Sequence, residues 1–352
     1  MEIPESITTP FALEDFEEII DVRSPLEFAE DHIPGAINLP VLSDVERHEV
    51  GLLNAISPFE ARRLGATLIT KNIHKHLSTT LADRPASYDP LIYCWRGNLR
   101  SNSMAVIFRA IGWRSRVVQG GYKAWRKWLM SDLDATIGPD KPELIVLGGF
   151  TGCGKTRLLQ VLEKQGAQIL DLEGLANHRG SILGNEPGSP QPGQRFFESQ
   201  LWKAFRKFDP SRPVFTEAES NRIGRLQCPP SLWRRLGEGR VVLVNLPLKE
   251  RATLLAQDYQ HFITNPQSLK DTLDGLRRLR GHEQVDRWHQ QIDAGDWPSF
   301  LQSILVDHYD LAYRLPGSEE SVYPKPSQTL EIPSANSADF EKAAADLIAQ
   351  YP

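Results

Sequence analysis

Short apolar runs alternate along this chain with stretches of helical spacing, and the first of them ends in charge. Ile19-Ile20-Asp21-Val22 reads as a short buried strand running into Arg23-Ser24-Pro25, after which Leu26 to Glu30 form a helical turn. His32-Ile33-Pro34-Gly35-Ala36-Ile37-Asn38-Leu39-Pro40 follows as a turn and a second short strand. Residues 58 to 82 have helical spacing, and Leu91-Ile92-Tyr93 is a strand that delivers Cys94. Ser101 to Ile111 is then a helix and Ser115-Arg116-Val117-Val118 a strand, and the turn Gly120-Gly121 precedes a helix from Tyr122 to Met130. Short strands alternating with helices predict a parallel sheet with both faces covered.

Ser131 to Pro142 lacks apolar periodicity and contains Gly138-Pro139 and Lys141-Pro142, which places a domain boundary there. The expected division is 1–137 and 138–352. The second part begins with a strand-loop-helix at Glu143 and continues with strands at Ala167 to Asp171, Pro213 to Glu217 and Arg240 to Asn245. From Pro247 to about Arg314 the pattern is mainly helical, and a loop then leads to a last helix, Ala338 to Gln350. The fold class is α/β in both parts, the second carrying a helical C-terminal portion.

Composition narrows the setting. No apolar run approaches the roughly 18 residues of a membrane span, and Glu2, Glu5, Glu14 and Asp15 make the N-terminus too acidic for a signal peptide. The three cysteines, at 94, 153 and 228, show neither a paired secretory framework nor a zinc spacing. A reducing, cytoplasmic compartment is expected. The net charge of -5 hides an asymmetry: residues 1–50 hold 13 acidic and 2 basic side chains, whereas 202–240 hold 9 basic and 4 acidic ones. The second region has the charge to meet a polyanion, although helix faces are often charged without one.

Two anion-binding patterns carry the chemistry. In Tyr93-Cys94-Trp95-Arg96-Gly97-Asn98-Leu99-Arg100-Ser101, a cysteine lies between a strand end and a helix N-terminus, the setting in which a thiol acts as a thiolate nucleophile. The loop amides form an anion nest, Gly97 relieves backbone crowding, and Arg96 or Arg100 offers a fork to an oxyanion. The second pattern, Gly149-Phe150-Thr151-Gly152-Cys153-Gly154-Lys155-Thr156, is a complete phosphate loop after an apolar strand. Gly149, Thr151, Gly152, Gly154, Lys155 and Thr156 are its expected phosphate contacts. Thr156, with Asp171 and Glu217 at two strand ends, is the expected seat of a magnesium ion. Glu173, Asn177, His178, Arg179 and Ser181 form a dense polar run after a strand, expected at the same sheet edge and in contact with substrate.

Asp21-Val22-Arg23-Ser24-Pro25 with Glu27-Phe28, then His32 to Pro40, and Gly120-Gly121-Tyr122 with Ala124-Trp125 resemble the markers of a rhodanese domain over roughly residues 10–135. The loop Cys94 to Arg100 is one residue longer than that of sulfur-transferring rhodaneses and has the C-x5-R length of related phosphatases, with Tyr93 where those carry histidine. Such a domain joined to a phosphate loop, with Asp171 to Ser181 and Glu217-Ala218-Glu219-Ser220, resembles the tRNA 2-selenouridine synthases. That resemblance implies exchange of the sulfur of wobble 2-thiouridine for selenium from selenophosphate, through an S-geranyl intermediate made from geranyl diphosphate. It also implies a tRNA partner, and it leaves room for an enzyme that supplies selenophosphate. On this reading Cys94 accepts selenium as a selanyl-sulfide while Arg96 and Arg100 hold the departing phosphate. Lys155 and a magnesium ion would neutralise the diphosphate, and the basic segment, with Arg222 and Arg225 nearest the site, would meet the RNA backbone. The alternative is a nucleotide-regulated rhodanese or phosphatase-like protein that does not act on RNA.

Overall fold

The computed structural model describes residues 5–138, 142–180 and 188–352. Its contacts divide the chain into two compact units, one comprising Met1–Thr136 with Pro192–Lys203, the other Ile137–Gln191 with Ala204–Pro352.

In the first unit, strands Glu5–Ile7 (β1), Glu18–Asp21 (β2), Ile37–Asn38 (β3), Pro90–Tyr93 (β4) and Arg116–Val118 (β5) form one sheet in the order β1-β5-β4-β2-β3. Every pairing is parallel. The central β4 is buried throughout, which is why Pro90-Leu91-Ile92-Tyr93 is a run without polar alternation. Its pairing of Asp21 with Tyr93 aligns the C-terminal ends of β2 and β4, so Asp21 and Cys94 emerge at one edge. Helices Pro58–Ser78, Leu99–Ile111 and Gly121–Ile137 were legible in outline, the last running further than expected. A core of Ile20, Ile73, Ile92, Met104, Phe108 and Val117 joins sheet to helices. Three elements are additional: β1, the 3-10 turn Leu13–Asp15 and the helix Asp44–Ile56, whose Ser43 and Glu46 close a capping box at its start.

The segment Pro192–Lys203 is distant in sequence yet packs with this unit. Trp202 is buried between Trp125 and Trp128, and its Nε1 donates to Asp132 at 2.8 Å. Ser199 donates to the buried carboxylate of Asp31 at 3.1 Å, and Arg126 pairs with Glu198.

In the second unit, Leu144–Gly148 (β6), Gln168–Leu170 (β7), Val214–Glu217 (β8), Arg240–Asn245 (β11) and Gln328–Glu331 (β12) form a parallel sheet in the order β12-β11-β6-β8-β7. Arg222–Ile223 (β9) and Leu226–Gln227 (β10) make a small antiparallel hairpin between β8 and β11 in sequence. The stretch read as a loop before the last helix therefore contains β12, an edge strand, partly exposed, whose polar composition hid it. Helices Lys155–Lys164 and Ser337–Gln350 cover one face, packing Leu158, Leu162, Phe340 and Leu347 against β6, β8 and β11. The helical region after Pro247 holds its own core around Leu273, Val285, Trp288 and Phe300.

Candidate functional site

The strand β4 ends at Tyr93, and the next helix begins at Leu99, so the Cys94 loop spans the gap between a strand and a helix. None of the backbone N–H groups of Trp95 through Ser101 donates to another described residue. The loop is held instead through its carbonyls, which accept from Tyr122 and Lys123 at 2.9 and 3.1 Å. That arrangement leaves the donors for an anion beside sulfur. Gly97, at φ 66°, is needed here, because a Cβ would stand 2.4 Å from the Val118 carbonyl. Cys94 is 3 % exposed, and its Sγ lies 3.3 Å from the hydroxyl of Ser101.

Arg96 is exposed on the loop, whereas Arg100 is already engaged with Glu27 at 2.7 and 3.4 Å. Burial acts against the charge of Glu27, but Arg100 and then Arg47 hold its carboxyl below the usual range. The Arg100 fork is thereby fixed rather than free to swing. Beneath the loop, Arg23 pairs with buried Asp21 at 2.6 Å and stacks over the Tyr122 ring at 4.1 Å. Tyr93, where the phosphatases carry histidine, is buried, and its hydroxyl accepts from the Ile33 amide.

In the second unit the phosphate loop leaves β6 and enters the helix Lys155–Lys164, with Gly149, Gly152 and Gly154 all at positive φ. Gly149 needs that freedom, since a Cβ would meet the Val244 carbonyl at 2.5 Å. Lys155 Nζ donates to the Gly149 carbonyl at 2.9 Å. Burial opposes its charge, yet the environment of Cys153, Tyr313, Glu173 and Glu219 raises its pKa. The loop opens on a cavity of about 1180 Å³. Thr151, Gly152, Gly154, Lys155 and Thr156 line it, and so do Asp171, Glu173, Asn177, His178, Arg179 and Arg222. Gly149 and Glu217 are buried and do not line it. Ser181 lies outside the described residues.

The carboxylates are ordered differently from the expectation. Thr156 Oγ1 donates to Glu173 at 3.0 Å, while Asp171 caps the short helix Leu172–Ala176 through the Gly174 amide at 2.7 Å. Glu217 accepts from the Glu173 amide at 2.8 Å, and its other oxygen is buried with no partner among the described residues. Burial, followed by the charges of Asp171 and Glu173, pushes Glu217 well above the carboxylate range. Glu219 is pushed up to about 8, mainly by burial and by Glu173, with Lys155 pulling the other way. Hard oxygen donors beside a phosphate loop suit a magnesium ion. Among the described residues no three His, Cys, Asp or Glu converge on one point, so such an ion would depend on phosphate oxygens for the rest of its shell.

The basic segment is not a continuous cationic face. Arg235 is buried against the carbonyls of Ile137, Gly138 and Pro142, and burial lowers its pKa. Arg222 lines the cavity, with Nε on the Gly224 carbonyl at 3.0 Å. Arg225 instead anchors to Gln191 through its amide and guanidinium. Asn177 closes its helix in the left-handed conformation at φ 47° and donates to Ser189 at 2.8 Å, and Arg179 lies over Tyr259 at 5.0 Å. His178 is buried and accepts from the Gly180 amide at 3.1 Å.

Comparison with known proteins bears on the whole arrangement. The tRNA 2-selenouridine synthase AAA domain family matches residues 142–321, and the rhodanese-like domain family matches residues 12–127. A tRNA 2-selenouridine synthase from Hydrogenovibrio crunogenus is 36% identical over 84% of this chain and 88% of its own length. Those from Alcanivorax borkumensis and Marinobacter nauticus are 34% and 31% identical, covering 84% of this chain and 88% and 87% of theirs. The chain belongs to the tRNA 2-selenouridine synthase family. Among solved structures it is similar to a rhodanese-related protein from Thermoplasma volcanium, with 18% identity, a TM-score of 0.24, and coverage of 35% of this chain and 92% of that one.

Four residues of this family member escaped sequence reasoning. Ser101 closes the cysteine pattern and starts a helix in sequence, where no role falls to its hydroxyl, although its place directly after Arg100 is a usable signal. Glu27 stands in sequence only as a domain marker. Glu219 stands within a polar run, and nothing in sequence signals its partnership with Glu173. Tyr313 had no signal at all, yet its hydroxyl accepts from the Gly149 amide at 2.9 Å across 164 positions of sequence.

Proposed function

We propose that this chain replaces the sulfur of a tRNA wobble 2-thiouridine with selenium from selenophosphate, by way of an S-geranyl intermediate formed from geranyl diphosphate. The observation that carries this reading is a cysteine loop with unspent amides and a separate phosphate loop in one chain of this family. Each half of the reaction asks for a different anion site. Geranyl transfer breaks a bond to diphosphate, and Lys155 with the amides at the N-terminus of its helix would stabilise the departing charge. Thr156 and Glu173 would hold a magnesium ion, which when bound supplies further neutralisation of that charge. The cavity wall of Asn177, Arg179 and Arg222 would receive the nucleotide, and Arg222 a backbone phosphate. Selenium exchange needs a site for a tetrahedral selenophosphate, and the amides of Trp95 to Ser101 support that role.

On this reading the protein works in the cytoplasm, where tRNA is modified, and draws selenophosphate from the enzyme that makes it. No helix among the described residues is long and apolar enough to cross a membrane. Mass spectrometry of tRNA nucleosides tests the assignment, with selenophosphate and geranyl diphosphate supplied separately and together. S-geranyl-2-thiouridine with geranyl diphosphate alone, and 2-selenouridine with both, are expected. Unmodified 2-thiouridine under all three conditions would refute the proposal.

A further inference from the structure

We infer that Cys94 attacks the phosphorus of selenophosphate, not its selenium, and that Ser101 positions and assists that sulfur. The inference rests on the selenium exchange proposed above and concerns its least specified step.

Oxidation levels decide where the sulfur strikes. A thione sulfur is replaced by selenium at the same level, so the exchange is redox-neutral overall. If Cys94 took selenium as a selanyl-sulfide, the S–Se bond would form as the P–Se bond broke, and phosphorus would leave with the bonding pair as trivalent phosphite. Selenium would then sit on the protein in an oxidised form, and its delivery would need a reductant. Attack at phosphorus has no such cost. The Sγ lone pair forms an S–P bond, the P–Se bond breaks, and its pair leaves on selenium as selenide or as the selenolate of the nucleoside. Water then adds to phosphorus, the S–P bond breaks with its pair returning to sulfur, and a water proton goes to solvent. Phosphorus remains pentavalent and selenium remains at the selenide level. A selenolate leaves readily without a proton donor, which fits a loop whose preceding position is Tyr93, buried and engaged with Ile33.

The geometry matches a phosphoryl-accepting site. The amides of Trp95 to Ser101, which follow Cys94 directly in the loop, are not spent on another described residue. These donors suit the equatorial oxygens of a phosphoryl group in transfer. Arg100 is locked on Glu27 at the edge of the same loop. The Ser101 hydroxyl lies 3.3 Å from Sγ and donates to the Asn98 carbonyl at 3.2 Å; rotation about its C–O bond would turn that proton to the sulfur when it leaves as thiolate, so it acts on breakdown of the phosphocysteine through Cys94. Both routes to the substrate share this chemistry: free selenophosphate, or selenophosphate already joined through selenium to the pyrimidine.

The test uses the full-length protein with inorganic selenophosphate, with and without S-geranylated tRNA, followed by phosphorus NMR of products and acid-quench mass spectrometry of the Cys94 peptide. Phosphate as product, with phosphoryl on Cys94, is expected. An adduct without tRNA identifies the free anion as substrate, and one only with tRNA identifies the nucleoside-bound form. Ser101→Ala should slow release of phosphate by about tenfold, the worth of one hydrogen bond to a charged group, and raise the steady-state phosphocysteine. Ser101→Thr should restore the rate. Phosphite in the medium, selenium on Cys94, or full selenation by Cys94→Ser would overturn the inference. If wild-type protein selenates no tRNA at all, the proposed function falls first, and the inference with it. If it selenates tRNA while releasing phosphite, only the inference falls.

Discussion

Glu219 shows how a single side chain is set by its surroundings. Its folded-state pKa is raised from 4.5 to about 8, so between these values the folded chain keeps a proton that the unfolded chain has lost. Stability must therefore fall as pH rises through that window, on the order of 1 kcal/mol per pH unit, and level off above it. Thermal unfolding from pH 5 to 9 should show this decline, and Glu219→Gln should make it shallower, with buried Glu217 supplying the remainder; an equal slope in both proteins would remove Glu219 as a source. Tyr313 makes a second residue-scale case. Tyr313→Phe leaves the Gly149 amide without its acceptor, which should cost about 1–3 kcal/mol in chemical denaturation. Neither partnership was readable beforehand, because both depend on groups brought together from distant strands and loops.

At the scale of elements, the segment Pro192–Lys203 is the clearest departure from sequence order. Trp202 fills a space between Trp125 and Trp128 and satisfies its ring N–H on Asp132. Trp202→Ala should cost about 3–5 kcal/mol of the first unit's stability, measured by urea unfolding followed through fluorescence. A change within experimental error would show that the segment contributes no packing. The strands built on apolar runs, β4, β6 and β11, were legible, as was β8 with Val214-Phe215 leading it, since burial of the central strands forces that composition. The edge strands β1 and β12 were not. Glu5-Ser6-Ile7 and Gln328-Thr329-Leu330-Glu331 owe their conformation to the neighbour they pair with, and their composition resembles that of a loop.

For the whole molecule, two chemistries on two loops should separate by mutation. Lys155→Ala should suppress S-geranylation while sparing selenation of tRNA that already carries the S-geranyl group. Loss of selenation on the prepared tRNA together with loss of S-geranylation would deny the loops separate tasks. The arginines should also separate. Arg222→Ala should weaken tRNA binding and reduce the slope of log K against log salt by about one, whereas Arg225→Ala should change the slope little, because that guanidinium already serves the Gln191 carbonyl. Equal slopes in the two variants would place the RNA backbone elsewhere.

The two glycine-bearing loops were determined by sequence alone. A strand, a glycine-bearing turn and a helix are local structure, so the Cys94 loop and the phosphate loop could be read from contiguous residues, along with the α/β class and the family resemblance. What surrounds those loops was decided only by tertiary structure. Thr156 meets Glu173 instead of Asp171, because Asp171 turns back to cap its own helix. Arg100 is spent on Glu27, and Arg235 on backbone carbonyls, although sequence presents both as available charge. Charge and side-chain type are local properties. Whether a charge is buried, paired or facing a cavity depends on segments that sequence separates and folding joins.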